Sequence, residues 1–198
     1  MNKESLDIVY YDTETTGLDS TKERIIEIAF LKESDGSSIS KLINPQIPIP
    51  PSSTKIHNIT NNMVAKAPTF DDIISELVSF APTCTLFVAH NNDAFDIHFM
   101  QNEFRRSSKT LPKHWIFIDS LKWSRKFRPD FTSHRLQHLR KVFNIKENNA
   151  HRALDDVIIL QKIFKHLTVG LSPYQIATLL GKEEQIKHNR IKKELTFL

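Results

Sequence analysis

The run Ile8-Val9-Tyr10-Tyr11, followed by Asp12-Thr13-Glu14-Thr15-Thr16-Gly17-Leu18, constrains this chain more than any other stretch. Four β-branched or aromatic residues ahead of a turn-like Thr-Thr-Gly predict a strand, and alternation along it places the Asp12 and Glu14 side chains on one face. Two like charges side by side at the end of a half-buried strand are unfavourable unless a cation lies between them. A hard ion such as Mg²⁺ or Mn²⁺ is the usual partner. Taken alone, an Asp-x-Glu pair also fits ordinary polar residues at the mouth of a hairpin, so its meaning depends on what else the chain brings to it.

Residues 24–31 and 39–43 read as two further strands, with Asp35-Gly36-Ser37-Ser38 as the turn between them, which makes an antiparallel meander of three. Residues 44–53 carry Pro45, Pro48, Pro50 and Pro51 and are expected to form an extended connection. A short helix is expected over 56–63. A longer one starts at Thr69, where Phe70, Ile73, Ile74, Leu77 and Val78 fall at helical spacing and Pro82 ends it. The apolar run Thr85-Leu86-Phe87-Val88-Ala89 reads as an interior strand that delivers His90-Asn91-Asn92-Asp93-Ala94-Phe95-Asp96 at its end.

A helix follows from about Asp96, with Phe99, Met100 and Phe104 on the same stripe, so that this carboxylate points along the buried face. A fifth strand is expected over 115–119, with helical segments around 121–127 and 135–143. The last strong helix runs over 152–167 and distinguishes two adjacent acids. From Asp156 the same-face positions are Ile159, Leu160, Ile163 and Leu167, whereas from Asp155 they include Lys162 and His166. Asp156 therefore heads the core-facing stripe and Asp155 reads as an exposed first-turn acid. His151 lies off that face, on a loop just before the helix. The element order predicts an α/β fold, a mixed five-stranded sheet (three-strand antiparallel meander plus two further strands) flanked by helices.

At 198 residues the chain fits one large domain with a small appendage, and 39% hydrophobic with 25% charged residues describes a globular protein. No apolar run approaches the roughly 20 residues of a membrane helix. Lys3, Glu4 and Asp7 stand where a signal peptide needs apolar residues, so an intracellular, cytoplasmic protein without a membrane partner is expected. Cys84 is the single cysteine, which excludes an internal disulfide and a cysteine-rich zinc site. Charge is uneven: residues 1–104 hold 7 basic and 15 acidic residues, whereas residues 105–141 hold 11 basic and 2 acidic. That second block is a polyanion-binding signature, and Trp115, Phe117, Trp123, Phe127 and Phe131 are interleaved with its cations. Most of these aromatics are expected in the core, which leaves the charge as the firmer half of the signal.

Four acids thus converge in principle: Asp12 and Glu14 from a strand end, Asp96 and Asp156 from the inward faces of two helices. Two divalent ions about 3.5–4 Å apart can clamp a phosphodiester between such carboxylates, and a nearby histidine can accept a proton from water. In this arrangement the chain resembles DEDDh-type 3′-to-5′ exonucleases of the DnaQ-like group in the ribonuclease-H-like superfold. Three motifs carry the resemblance: Asp12-Thr13-Glu14-Thr15-Thr16-Gly17-Leu18, Val88-Ala89-His90-Asn91 through Phe95-Asp96, and His151-Arg152-Ala153-Leu154-Asp155-Asp156. It spans roughly residues 8–167, and Ile56-His57-Asn58-Ile59 is similar to the proofreading (epsilon) subunit of bacterial DNA polymerase III. The six-residue spacing from His90 to Asp96 is closer to TREX-like exonucleases and leaves Asp93 as a rival to Asp96.

The resemblance implies that Asp12, Glu14, Asp96 and Asp156 bind two Mg²⁺ or Mn²⁺ ions and that His151 is the general base. It further implies that Thr15, Leu18, Ile56, His57, His90 and Phe95 line the pocket for the terminal nucleotide. The implied activity is hydrolysis of the terminal phosphodiester at a nucleic-acid 3′ end, DNA or RNA, releasing nucleoside 5′-monophosphates, as a proofreading subunit or a free-standing nuclease. A non-catalytic nucleic-acid-binding module on the same fold is the other class to consider. Residues 169–198 are a tail in which Ser172-Pro173 starts a short helix, Gly181 ends it and residues 182–193 form a basic helix. This tail could dock a polymerase subunit or, through Glu194-Leu195-Thr196-Phe197-Leu198, a sliding clamp.

Overall fold

The computed structural model describes residues 6–146 and 152–196, with side chains to residue 189. His151 lies outside the described residues. Strand β1 spans Asp7–Thr15, β2 Ile25–Lys32, β3 Ser38–Leu42, β4 Thr85–Ala89 and β5 Trp115–Asp119, and they form one mixed sheet of order β3-β2-β1-β4-β5. β1, β2 and β3 are the antiparallel meander, and β4 and β5 add to it in parallel.

The two ladders along β1 differ in length. Its antiparallel pairing to β2 runs on to Thr15, whereas its parallel pairing to β4 stops at Tyr10–Val88. A register shift between Glu14 and Thr15 then bends the strand end, as bulges beside functional sites commonly do.

Helices cover both faces. α3 (Phe70–Phe80) and α4 (Asp96–Arg106) bury Ile73, Ile74, Leu77, Phe99, Met100 and Phe104 against Val9, Tyr11, Phe30 and Phe87. On the other face α7 (Ala153–Leu167) packs Val157, Leu160 and Phe164 against Ile8, Tyr10, Val88 and Ile118. Alternation along β1 therefore sends Asp12 and Glu14 towards α7, and Thr13 towards α4.

The proline-rich connection becomes helical earlier than its composition suggests. α1 is Pro51–His57, with Pro51 at the first helical position, where a missing N–H costs nothing, and Asn58 at φ 60° ends it. α2 (Asn61–Val64) is separate, so the single short helix expected over 56–63 is two. α5 (Ser120–Phe127) and α6 (Leu136–Val142) follow β5. In the tail, α8 (Pro173–Leu179) is capped by Ser172, whose side chain accepts from Gln175 N, and α9 is Glu183–Thr196. Ile176, Ala177 and Ile186 join the core beneath α7.

Of the aromatics in the basic segment, Trp115 and Trp123 are core, and Phe117, Phe127 and Phe131 pack partly buried against it. Trp115 stacks on Phe87 at 4.2 Å between ring centres, Trp123 is 1% exposed, and Phe117 packs on Tyr11. Phe87→Ala should cost about 3–5 kcal/mol of unfolding free energy, measured by urea titration, because its ring is fully buried among Tyr11, Phe30, Trp115 and Phe117.

Candidate active site

A pocket of about 270 Å³ opens where β1 outruns β4, and Asp12, Glu14, Asp96 and Asp156 all line it. One carboxylate oxygen from each of Asp12, Glu14 and Asp156 lies within 4.8 Å of the other two. The first two come from the α7 side of β1 and the third from the first turn of α7. Asp96 arrives from the opposite face of the sheet, at the start of α4, and its Oδ1 accepts a 2.8 Å hydrogen bond from Thr13 Oγ1. The strand end thus serves as a partition with acids on both sides, bridged by Thr13.

The rival Asp93 sits in a 3₁₀ turn over Asn92–Ala94 and is drawn away from the pocket by Lys122 Nζ at 2.7 Å. That turn is fixed by Asp119 at the end of β5, which accepts from the backbone N–H groups of Asn91 and Asp93 while capping α5 through Leu121 N and Lys122 N. Asn91 takes φ 68°, a conformation asparagine tolerates better than other side-chain-bearing residues, and this turns the chain sharply out of β4.

Electrostatics show the strain of the assembly. Burial, and then the charges of Asp96, Glu14, Asp156 and Glu27, hold the Asp12 carboxyl well above the usual range. Burial with Asp156 and Glu27 pushes Glu14 up to about 8, with Arg152 opposing. Burial raises Asp96 to about 7 against the lowering pull of the Thr13 hydroxyl. Carboxylates that resist ionisation because they are buried, with Asp12 and Glu14 also facing other negative charges, form a donor set suited to a divalent cation, which removes that resistance.

Of the other residues singled out by sequence, His90 and Phe95 line the same pocket. Thr15, Leu18, Ile56 and His57 do not. Leu18 and Ile56 are 85% and 61% exposed, and Thr15 Oγ1 donates to Gly17 O at 2.6 Å. His57 is buried, accepts from Ile59 N on Nδ1, and feels Glu27 and the Thr15 backbone. Ser53 Oγ donates to Thr16 O at 2.7 Å, which ties α1 to the strand end.

Sequence reasoning missed Glu27. It lies directly across from Glu14 on β2, an unfavourable like-charge pairing. Its carboxylate accepts from Arg152 Nε and Nη2, the latter at 2.6 Å, and from the backbone N–H of Ala153 at 3.1 Å. The start of α7 is therefore anchored on β2, which positions Asp156. A signal was present: one acid within the apolar stretch Ile25-Ile26-Glu27-Ile28-Ala29 calls for a cation or hydrogen-bond donors from elsewhere in the fold. Leu136 and Gln137 of α6, which complete the pocket wall, carried no comparable signal.

The sheet order and the carboxylate pocket define a ribonuclease-H-like nuclease domain. Residues 9–164 match the exonuclease family RNase_T, and the chain belongs to that family. Exonuclease DPD1, chloroplastic/mitochondrial, of Arabidopsis thaliana is 35% identical over 182 residues, which cover 84% of this chain and 57% of that protein. The PolC-type DNA polymerase III of Clostridium perfringens is 34% identical over 190 residues, 91% of this chain and 13% of the polymerase. DNA polymerase III subunit epsilon of Treponema pallidum is 35% identical over 159 residues, covering 78% of this chain and 73% of the subunit. The chain thus spans little more than half the length of the first of these relatives and about an eighth of the second. Among solved structures, exonuclease X in complex with 5′ overhanging duplex DNA has a TM-score of 0.65 at 27% identity, over 86% of this chain and 98% of that one. Apo exonuclease I has a TM-score of 0.74 at 20% identity, over 90% and 45%, a likeness of fold.

Two outcomes follow from the site's electrostatics. A carboxyl raised in the folded state weakens the fold as pH climbs from its unfolded value towards its folded one, here through neutrality to about 8 for Glu14. His90, lowered to about 4 by burial, acts with the opposite sign, but only below about 6.5. Between about pH 6.5 and 8, therefore, the metal-free protein should melt at progressively lower temperature, and Mg²⁺ should raise the melting temperature more at pH 8 than at pH 6.5 in thermal denaturation. Separately, Glu27→Ala should cost roughly 1–3 kcal/mol in urea unfolding, since Ala153 N–H loses its acceptor and Arg152 its partner.

Proposed function

We propose that this exonuclease-family domain removes nucleotides one at a time from the 3′ end of single-stranded or frayed DNA. The observation that carries the reading is the meeting of Asp12, Glu14 and Asp156 oxygens within 4.8 Å in a pocket that Asp96 also lines. In this reading the four carboxylates hold two Mg²⁺ or Mn²⁺ ions. When bound, such ions neutralise the phosphodiester and stabilise the attacking and leaving oxygens.

The chain's own residues supply orientation and proton transfer. Thr13 holds Asp96 in one rotamer, and Glu27 with Arg152 holds the first turn of α7, so the carboxylates are arranged before substrate arrives. His151, immediately before Arg152 in sequence, takes a proton from the water that attacks phosphorus. The bond to the 3′ oxygen of the preceding sugar then breaks, and a nucleoside 5′-monophosphate leaves. The exposed Leu18 and Ile56 receive the terminal nucleoside, backed by the buried Thr15 and His57, while His90 and Phe95 face the pocket.

The named relatives include DNA polymerase III subunits, which supports DNA as substrate and a proofreading role, in partnership with a polymerase or sliding clamp. The tail would carry such docking through exposed residues such as Val169 and Tyr174, since Ile176, Ala177 and Ile186 are core. Among the described residues no helix is long and apolar enough to cross a membrane.

Turnover of 5′-labelled single-stranded DNA, mismatched duplex and RNA with Mg²⁺ or Mn²⁺ tests the proposal. Stepwise shortening from the 3′ end is expected, fastest on DNA, and Asp12→Asn or His151→Ala should lower it by at least about 10²–10³-fold. Faster trimming of RNA would redirect the reading to an exoribonuclease. Binding without cleavage by the wild type would leave only the non-catalytic module.

A further inference from the structure

Five of the eleven cations in the basic segment are held by partners within the protein. Arg106 binds Glu103 and the carbonyls of Ser20 and Thr21, Lys122 binds Asp93, Lys126 binds Leu179 O, Arg128 binds Asp130 and Arg140 binds Gln137. Arg125 and Arg135 are exposed, and among the described residues neither guanidinium has an acceptor; unlike Arg105, Lys109, Lys113 and Lys141, they are gathered at one place. Both line a second pocket, of about 520 Å³, that shares His90, Asn91 and Leu136 with the carboxylate pocket.

This second pocket has a constructed floor. α5 presents two buried serines one turn apart, Ser120 to His90 Nδ1 and Ser124 to His134 Nδ1, each at 2.8 Å. His90 Nε2 is buried with no partner in hydrogen-bond geometry. Burial holds His90 neutral at physiological pH, so this imidazole offers a hydrogen bond and no charge. Charge enters only from the rim, through the two arginines. Leu121 and Leu136 supply apolar wall, and Thr132 and Ser133 supply hydroxyls. The volume lies within the roughly 300–1,000 Å³ of small-molecule sites, enough for one nucleotide unit.

We infer that this pocket seats the nucleotide adjoining the one that is cut off, with Arg125 and Arg135 on its backbone phosphates and Leu121 and Leu136 against its sugar or base. The inference rests on the exonuclease reading above, since it supplies the track along which the retained strand enters the carboxylate pocket. It draws from a diffuse basic segment of eleven cations the two that line this pocket.

Two measurements test it. The first is anisotropy titration of a fluorescent single-stranded thymidylate 20-mer in EDTA at several salt concentrations. The second is Mg²⁺-dependent kcat/KM on that oligonucleotide, divided by kcat/KM on the p-nitrophenyl ester of thymidine 5′-monophosphate, which has no retained strand. Arg125→Ala and Arg135→Ala should each raise the oligonucleotide Kd about ten-fold and flatten the salt slope by about 0.7. Each should lower the kinetic ratio by a similar factor. Lys109→Ala, in the same basic segment but outside this pocket, should move neither. Wild-type-like Kd and ratio in both arginine variants, or an equal effect of Lys109→Ala, would overturn the assignment while leaving the exonuclease reading intact. Loss of binding in the arginine variants of a wild type that cleaves neither substrate would uphold the pocket and remove the exonuclease reading.

Discussion

The site depends on one inequality: β1 is paired to β2 as far as Thr15 but to β4 only as far as Tyr10. In a fully paired parallel sheet both faces are closed by helices, and a carboxylate on one face cannot approach one on the other. Here the last turn of β1 stands beyond its parallel neighbour. Asp12 and Glu14 face α7, and Asp96 reaches the same pocket from the α4 side through Thr13. The crevice is the familiar place for function in an open α/β sheet, at the carboxyl ends of the parallel strands.

Concentrating like charges there is destabilising, and the surrounding polar contacts limit the damage. Glu27 would add a further negative charge opposite Glu14, yet Arg152 and Ala153 N–H turn it into a clamp on α7. Asp119 does the same for the turn after β4, satisfying four backbone N–H groups with one carboxylate. Glu27 and Asp119, outside the pocket, are thus neutralised or hydrogen-bonded by the protein, whereas Asp12 and Glu14 inside it are buried among further negative charges. That contrast supports the proposed cation site more than the count of acids does.

Much of this was legible in the sequence. Apolar runs of strand length locate the five strands and period-3.6 patterns the stripes headed by Asp96 and Asp156, because burial writes itself directly into residue order. Prolines mislead at α1, where composition reads as extended chain but Pro51 opens a helix. Glu27 was legible as an anomaly without a partner, since Arg152 is 125 residues away and only the sheet brings them together. The basic segment was legible as charge and not as geometry: pairing with Asp93, Asp130 and Glu103 removes several cations from availability, and no periodicity reports it.

The three carboxylates that meet within 4.8 Å belong to segments at opposite ends of the chain, β1 and α7. During synthesis the sheet's first strands, with Asp12 and Glu14 at their tip, are complete long before Asp156 leaves the ribosome. A chain made only as far as β5 therefore lacks Asp156, the Arg152 counter-charge to Glu27 and the apolar cover of Val157, Leu160 and Phe164. Docking of α7 supplies all of these in one event. Any chemistry that needs all three carboxylates is thereby confined to chains completed at least through α7.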